Sequence, residues 1–135
     1  MIQNKIPEVE KEKQNNAVEQ GNNLFPVFLK LEQLRLLIIG GGKVALEKLH
    51  AVLQNSPATK ITMVAIEFTG PARNAAIHCD NVELIERAYE SSDLDDADVI
   101  IIAVDDAFTS EQIRNDAHEK GKLVNVADKP DLCDF

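Results

Sequence analysis

The sequence predicts an α/β protein with an open, mostly parallel sheet and helices on both faces. Short apolar runs of strand length alternate with segments in which apolar residues recur at helical spacing. Strands separated by helices of about ten residues are typical of βαβ units, which build parallel sheets. A chain of 135 residues is long enough for one such domain.

The first predicted strand covers residues 34–39, a continuous apolar run that ends in glycines and is expected to be buried on both faces. A helix is predicted over 44–54, where the apolar spacing is helical until Pro57 ends it. A second strand over 60–65 and a short helix over 70–78 follow. These segments form two consecutive strand–helix units.

The second half of the domain continues the alternation. Residues 82–87 alternate with period two, which indicates a strand with one solvated face. Residues 98–104 form the most apolar run and are expected in the middle of the sheet. A helix is predicted over 109–120, with the spacing of a capping box at Thr109, and a last strand over 123–126.

Residues 1–23 differ in composition from the rest of the chain. They are rich in Glu, Lys, Gln and Asn and poor in large apolar residues. Such a segment gains too little burial to offset its ordering entropy, so we expect a mobile polar tail. The predicted domain therefore spans residues 24–135.

Composition argues against several functional classes. The net charge is −9 and the chain has no Lys/Arg cluster, which disfavours nucleic acid as a partner. The longest apolar run is far shorter than the ~20 residues of a membrane helix, and the start lacks the pattern of a signal peptide. The two cysteines, Cys79 and Cys133, are far apart and favour free thiols in a reducing cytoplasm. His50, His78 and His118 lack partners at ligand spacing, so no metal site is predicted.

The most specific motif is a G-x-G-x-x-A pattern over residues 40–45, directly after a predicted strand and at the start of a helix. Gly40 permits the tight turn, Gly42 lets a diphosphate approach the backbone, and Ala45 lets the helix pack close to the sheet. The first amides of the helix then face the phosphates. The pattern predicts a dinucleotide site of the Rossmann type; a glycine-rich turn without a ligand is the alternative.

An acidic residue after the second strand is the next feature of such sites, about 20 residues beyond the glycines. Glu67 stands there, just past the strand over 60–65. Its carboxylate would accept from ribose hydroxyls and repel a 2′-phosphate, and no Arg lies beside it, so we predict NAD rather than NADP. Ile66 is expected to cover the adenine as an apolar wall. An exposed loop carboxylate is the alternative interpretation of Glu67.

Carboxylates follow two of the predicted strands. Asp105 and Asp106 follow the fourth, and Asp128 follows the last. Ligands of open parallel sheets bind at the carboxyl ends of the strands, so Asp105 is expected beside the cofactor. A carboxylate there could take a proton as a hydride leaves, or receive a metal ion. From the residues alone, turn and helix-cap roles remain open for all three.

Four segments together resemble the precorrin-2 dehydrogenase/sirohydrochlorin ferrochelatase family of siroheme synthesis. They are LFPVFLKLEQLRLLIIGGGKVALEKLHAVL, KITMVA, DADVIIIAVDD and GKLVNVADKPDLCDF. The resemblance implies oxidation of precorrin-2 to sirohydrochlorin with NAD, and insertion of Fe²⁺ in many members. It implies cofactor contacts for Lys43 and Val44 at the glycine turn and for Ile66 and Glu67 along the adenosine. It also implies a catalytic role for Asp128.

The chain departs from the family pattern in three ways, the first of which is the polar tail before Leu24. Val104 stands where many members have Thr before the Asp pair. Members also continue past the CDF motif into a dimerisation segment and a helical region that help to form the tetrapyrrole cleft, which implies a homodimer in the longer form.

Two rival functions remain open. A non-catalytic NAD(H)-binding sensor would use the same glycine turn without needing Asp128. The other is a generic small-molecule dehydrogenase, although the short-chain type is disfavoured because Tyr89 is followed by Asp93 rather than by a lysine at the required spacing.

Overall fold

The computed structural model describes residues 21–135, so most of the predicted polar tail lies outside the described residues. A five-stranded, fully parallel sheet has the order β3-β2-β1-β4-β5. The strands are β1 (Arg35–Ile39), β2 (Lys60–Ala65), β3 (Val82–Glu86), β4 (Val99–Ile102) and β5 (Leu123–Val126), and the helices are α1 (Lys43–Asn55), α2 (Gly70–Ile77) and α3 (Ala107–Glu119). The predicted fold class and strand–helix alternation are confirmed.

Each face of the sheet carries its own apolar core. On one face, α1 and α2 pack their buried residues, such as Leu49 and Ala72, against β1 and β2. On the other face, Ile113 and Ala117 of α3 pack against β4 and β5. Helices therefore cover both faces, as predicted. Among residues 21–135, no helix is long and apolar enough to cross a lipid bilayer.

Two strands differ from their predicted environments. The middle of the sheet is β1, with β4 beside it, because β1 pairs with both β2 and β4. Apolarity alone did not distinguish the two, since both are buried on both faces. β3 lies at the edge, where Glu83 and Glu86 are exposed and the apolar residues are only half-buried.

The start of α3 also differs from the expected capping box. The helix begins at Ala107, and the N-cap is Asp106 rather than Thr109. The Asp106 carboxylate accepts hydrogen bonds from the Thr109 hydroxyl and from the Thr109 amide, the latter at 2.9 Å. These bonds hold the pKa of Asp106 below its ordinary value. The cap role left open for Asp106 in the sequence is therefore the observed one.

The outer edge of β5 is closed by the end of the chain. The Val124 amide donates to the Asp134 carboxylate at 2.8 Å, and the Asp134 amide donates to the Val124 carbonyl at 2.7 Å. The Cys133 sulfur accepts from the Val126 amide at 3.1 Å and lies 3.1 Å from the Val126 carbonyl oxygen. Asp134 also pairs with His118 of α3 at 2.9 Å. The CDF motif therefore satisfies backbone groups that an edge strand would otherwise leave unpaired.

We expect Asp134→Ala to lower the free energy of unfolding by ~1–3 kcal/mol, because the amide of buried Val124 loses its acceptor. Chemical denaturation measures the change. Asp131→Ala is the matched control: it removes the same charge from an exposed position in the short 3-10 turn Pro130–Leu132. Equal stability of the two variants would contradict this account of the edge.

Candidate functional site

A cleft opens where the strand order reverses. The chain runs outward from β1 through β2 to β3 and then returns to β4 on the other side of β1. The connections therefore diverge at the carboxyl ends of β1 and β4, the usual ligand position in such sheets. The cleft has a volume of about 570 Å³. Its walls come from the glycine turn, from the loops after β2, β3 and β4, and from α3.

Gly40 lies tightly against β4. Its φ of +135° belongs to a backbone region that side chains rarely allow. A Cβ on Gly40 would also overlap the carbonyl oxygen of Ala103. The Gly40 amide continues the sheet by donating to the Val64 carbonyl at 2.9 Å. The tight turn expected at this glycine is therefore present, and contact with the neighbouring strand requires it.

The middle glycine has a requirement that the motif did not reveal. A Cβ on Gly41 would overlap the Glu67 carbonyl oxygen and lie 2.9 Å from side-chain atoms of Ala65 and Phe68. The Gly41 carbonyl accepts from the Thr69 amide at 2.9 Å. The motif leaves this position open, and the run of three consecutive glycines was the only signal in the sequence.

Gly42 faces open space. No heavy atom lies within 4 Å of a Cβ built on it, so protein packing does not explain the glycine. The residue is exposed and caps the N-terminus of α1. The open volume beside the backbone is the space that a diphosphate would need.

The first turn of α1 offers its amides to this space. No side chain caps α1, whereas Thr69 caps α2 and Asp106 caps α3. Ala45 is fully buried, which allows the helix to sit close to the sheet as expected. Free amides and the positive end of the helix dipole suit an anion. The residues present therefore fit a dinucleotide diphosphate.

The structure brings most of the predicted cofactor residues into one cleft. Lys43, Val44, Ile66 and Asp105 all line it, together with the three glycines. Glu67 does not line the cleft. Its side chain is exposed, and its carbonyl oxygen lies against Gly41. Its proposed contact with the ribose remains a prediction.

Asp128 follows β5 on the same edge of the sheet, outside the cleft lining. The Ala127 amide donates to the Ile102 carbonyl at 2.9 Å, which ties the start of this turn to β4. Asp128 is exposed and has a φ of 62°, the only positive φ of a non-glycine residue within 21–135. Strained backbone of this kind is concentrated at functional sites. Across that same range, no three His, Cys, Asp or Glu side chains are grouped closely enough to hold a metal ion.

Sequence reasoning missed the residues that follow β3. Ala88 and Tyr89 both line the cleft. The Tyr89 hydroxyl donates to Asp116 of α3 at 3.2 Å, and burial, followed by the negative charge of Asp116, raises the pKa of Tyr89. No motif marks this loop, because its place in the cleft depends on the position of β3 in the sheet.

The fold, the uncapped start of α1 and the open space beside Gly42 define a dinucleotide-binding domain. A family model described as "Putative NAD(P)-binding" matches residues 27–135. The chain belongs to this family. The predicted resemblance to proteins of siroheme synthesis is confirmed by the siroheme synthases and the precorrin-2 dehydrogenase among the similar proteins.

Similar proteins include a siroheme synthase of Psychrobacter cryohalolentis, 40% identical over 113 residues, and one of Methylococcus capsulatus, 36% identical over 111 residues. The alignments cover 84% and 82% of this chain but only 21% and 23% of those proteins. The chain thus spans about a fifth of the length of the relatives.

Two solved structures share the fold. SirC, a precorrin-2 dehydrogenase, superposes with a TM-score of 0.63 and 22% identity, over 77% of this chain and 49% of SirC. A short-chain dehydrogenase/reductase of Veillonella parvula in complex with NADP gives a TM-score of 0.50 and 20% identity, over 69% of this chain and 46% of that one.

The contrast between Gly41 and Gly42 is testable by substitution. We expect Gly41→Ala to lower the free energy of unfolding by ~1–3 kcal/mol, because the added carbon meets backbone and core atoms. Gly42→Ala, the matched control, should change it by less than about 1 kcal/mol, the cost of a poorer N-cap. Denaturant titrations of both variants provide the measurement, and a larger loss in Gly42→Ala would contradict the assignment.

Proposed function

We propose that this chain is the NAD-binding and proton-accepting part of a precorrin-2 dehydrogenase. The observation that carries the proposal is the uncapped start of α1 beside the open face of Gly42, on the sheet edge that also holds Asp128. The names of the relatives, siroheme synthases and a precorrin-2 dehydrogenase, support a substrate of the tetrapyrrole class.

The oxidation of precorrin-2 to sirohydrochlorin removes two electrons and two protons. When bound, NAD supplies the acceptor for one hydride, which carries both electrons and one of these protons. The second proton needs a base. Asp128 is proposed as that base, because an exposed carboxylate at the carboxyl edge can reach a ligand that lies beside the cleft.

The surroundings of Asp128 suit a substrate that carries several carboxylates. Lys129 is adjacent and exposed, and it offers a cation to such a substrate. Arg73 is less suited, because its guanidinium already pairs with Glu86 and lies 6.0 Å from the centroid of the Phe68 ring. We therefore assign substrate carboxylate binding to Lys129 rather than to Arg73.

Glu67 supports the choice of NAD over NADP. It follows Ile66, one of the residues that line the cleft on the β2 side, and it is exposed. A carboxylate near the adenosine ribose repels a 2′-phosphate and accepts from ribose hydroxyls. The proposal is that the Glu67 side chain supplies this discrimination.

Two extensions follow the family resemblance. Insertion of Fe²⁺ into sirohydrochlorin releases two protons, and Asp128 would accept them in turn, with Fe²⁺ as a substrate. The longer form would act as a homodimer. A reducing cytoplasm suits the protein, because the Cys133 thiol makes its contacts with Val126 as a free thiol.

The cofactor assignment predicts a defined order of affinities. In calorimetric titrations the chain should bind NAD at least about tenfold more tightly than NADP, because Glu67 repels the 2′-phosphate. Gly42→Ala should weaken both by a similar factor, since its methyl group fills the space for the diphosphate. Glu67→Gln is the matched variant, and it should reduce the preference for NAD. If neither NAD nor NADP binds, the assignment is overturned.

The catalytic assignment predicts that Asp128→Asn abolishes sirohydrochlorin formation while NAD affinity stays within about twofold. The assay incubates the protein anaerobically with precorrin-2 and NAD and follows the absorbance of sirohydrochlorin, after which Fe²⁺ is added. Asp131→Asn controls for charge, because Asp131 is exposed nearby in the 3-10 turn Pro130–Leu132, and it should retain activity. NAD binding without turnover in the unmodified chain would favour the sensor function instead.

A further inference from the structure

We propose that the aromatic ring of Tyr89 forms the surface against which the adenine of the bound dinucleotide packs. This inference rests on the proposed function and names the residue that recognises one end of the cofactor. Tyr89 lines the cleft, although neither the glycine motif nor the family resemblance pointed to it.

Sheet topology orients the dinucleotide along the cleft. The strand order places the glycine turn, after β1, between the loops after β2 and β3 on one side and the loop after β4 on the other. Asp105 and Asp128 lie on the β4–β5 side, where the reacting nicotinamide is needed. The adenosine must then extend toward Ile66 and Tyr89, on the β2–β3 side.

Hydrogen bonding determines which part of Tyr89 is available. The hydroxyl donates to Asp116 at 3.2 Å, and the ring packs in part against the core between α3 and the sheet, to which β1 and β2 also contribute. Because the polar end is engaged, Tyr89 offers apolar ring surface rather than a free hydroxyl. Ring surface suits a flat heterocycle better than a phosphate or a sugar.

The rest of this end of the cleft has matching chemistry. Ile66, after β2, and Ala88, after β3, line it alongside Tyr89, and neither of them carries a polar side chain. Ile66 is 71% exposed, so it has apolar surface available for a ligand.

The composition of the chain provides a specific probe. Tyr89 is the only tyrosine, so ¹³C-tyrosine labelling yields one set of ring signals in NMR spectra. Stacking against adenine shifts these signals through the ring current of the base. Addition of ADP-ribose or NAD should therefore shift them, whereas nicotinamide mononucleotide at millimolar concentration should leave them nearly unchanged.

Two variants separate the ring from the hydroxyl. Tyr89→Leu keeps apolar volume and should weaken ADP-ribose binding about tenfold in calorimetric titrations. Tyr89→Phe loses only the bond to Asp116 and should remain within about threefold of the unmodified chain. Thermal unfolding of both variants verifies the fold, and if Tyr89→Leu does not fold, the NMR result for the unmodified chain decides.

The outcomes separate this inference from the proposed function. NAD binding with unshifted Tyr89 signals would overturn the adenine contact and leave the function standing. Shifts caused equally by nicotinamide mononucleotide would also overturn it, because they would reverse the orientation of the dinucleotide. Absence of NAD binding would overturn both proposals.

Discussion

Contact between the glycine turn and the strands on either side of it is the constraint on which the rest of the structure depends. Gly40 lies against the carbonyl of Ala103 after β4, and Gly41 lies against the carbonyl of Glu67 after β2. Neither position has room for a Cβ. The connection from β1 to α1 therefore packs closely between the segments that follow β4 and β2, and the first amides of α1 border the cleft.

This arrangement explains how a chain with a net charge of −9 can offer a site to an anion. Salt screens the overall charge beyond ~8 Å at physiological ionic strength, whereas amides at a helix start contact the ligand directly. The other two helices place oxygen atoms of Thr69 and Asp106 over their first turns. Among the α-helices described, α1 alone starts without such a cap, so local dipoles rather than net charge direct the anion.

The late NVAD…CDF segment combines a structural and a chemical part. Cys133 and Asp134 cover the outer edge of β5 in place of another strand. The Cys133 sulfur also lies 3.3 Å from the Lys129 carbonyl, so it supports the turn that carries Asp128. One short segment therefore contains both the residues that hold the turn and the residue proposed as the base. Substitutions within it can separate a loss of stability from a loss of catalytic activity.

The amino-acid pattern alone determined the order of strands and helices, the glycine turn and the end of the sheet that holds the site. Those features depend on neighbours in sequence: periodicity, a missing Cβ and the identity of the residue after each strand. The tertiary structure decided that β1 is central, that Gly41 must be glycine, that Asp106 caps α3 and that Tyr89 enters the cleft. Most of these depend on atoms brought together from distant segments, and the cap depends on where the helix starts, so periodicity and spacing do not reveal them.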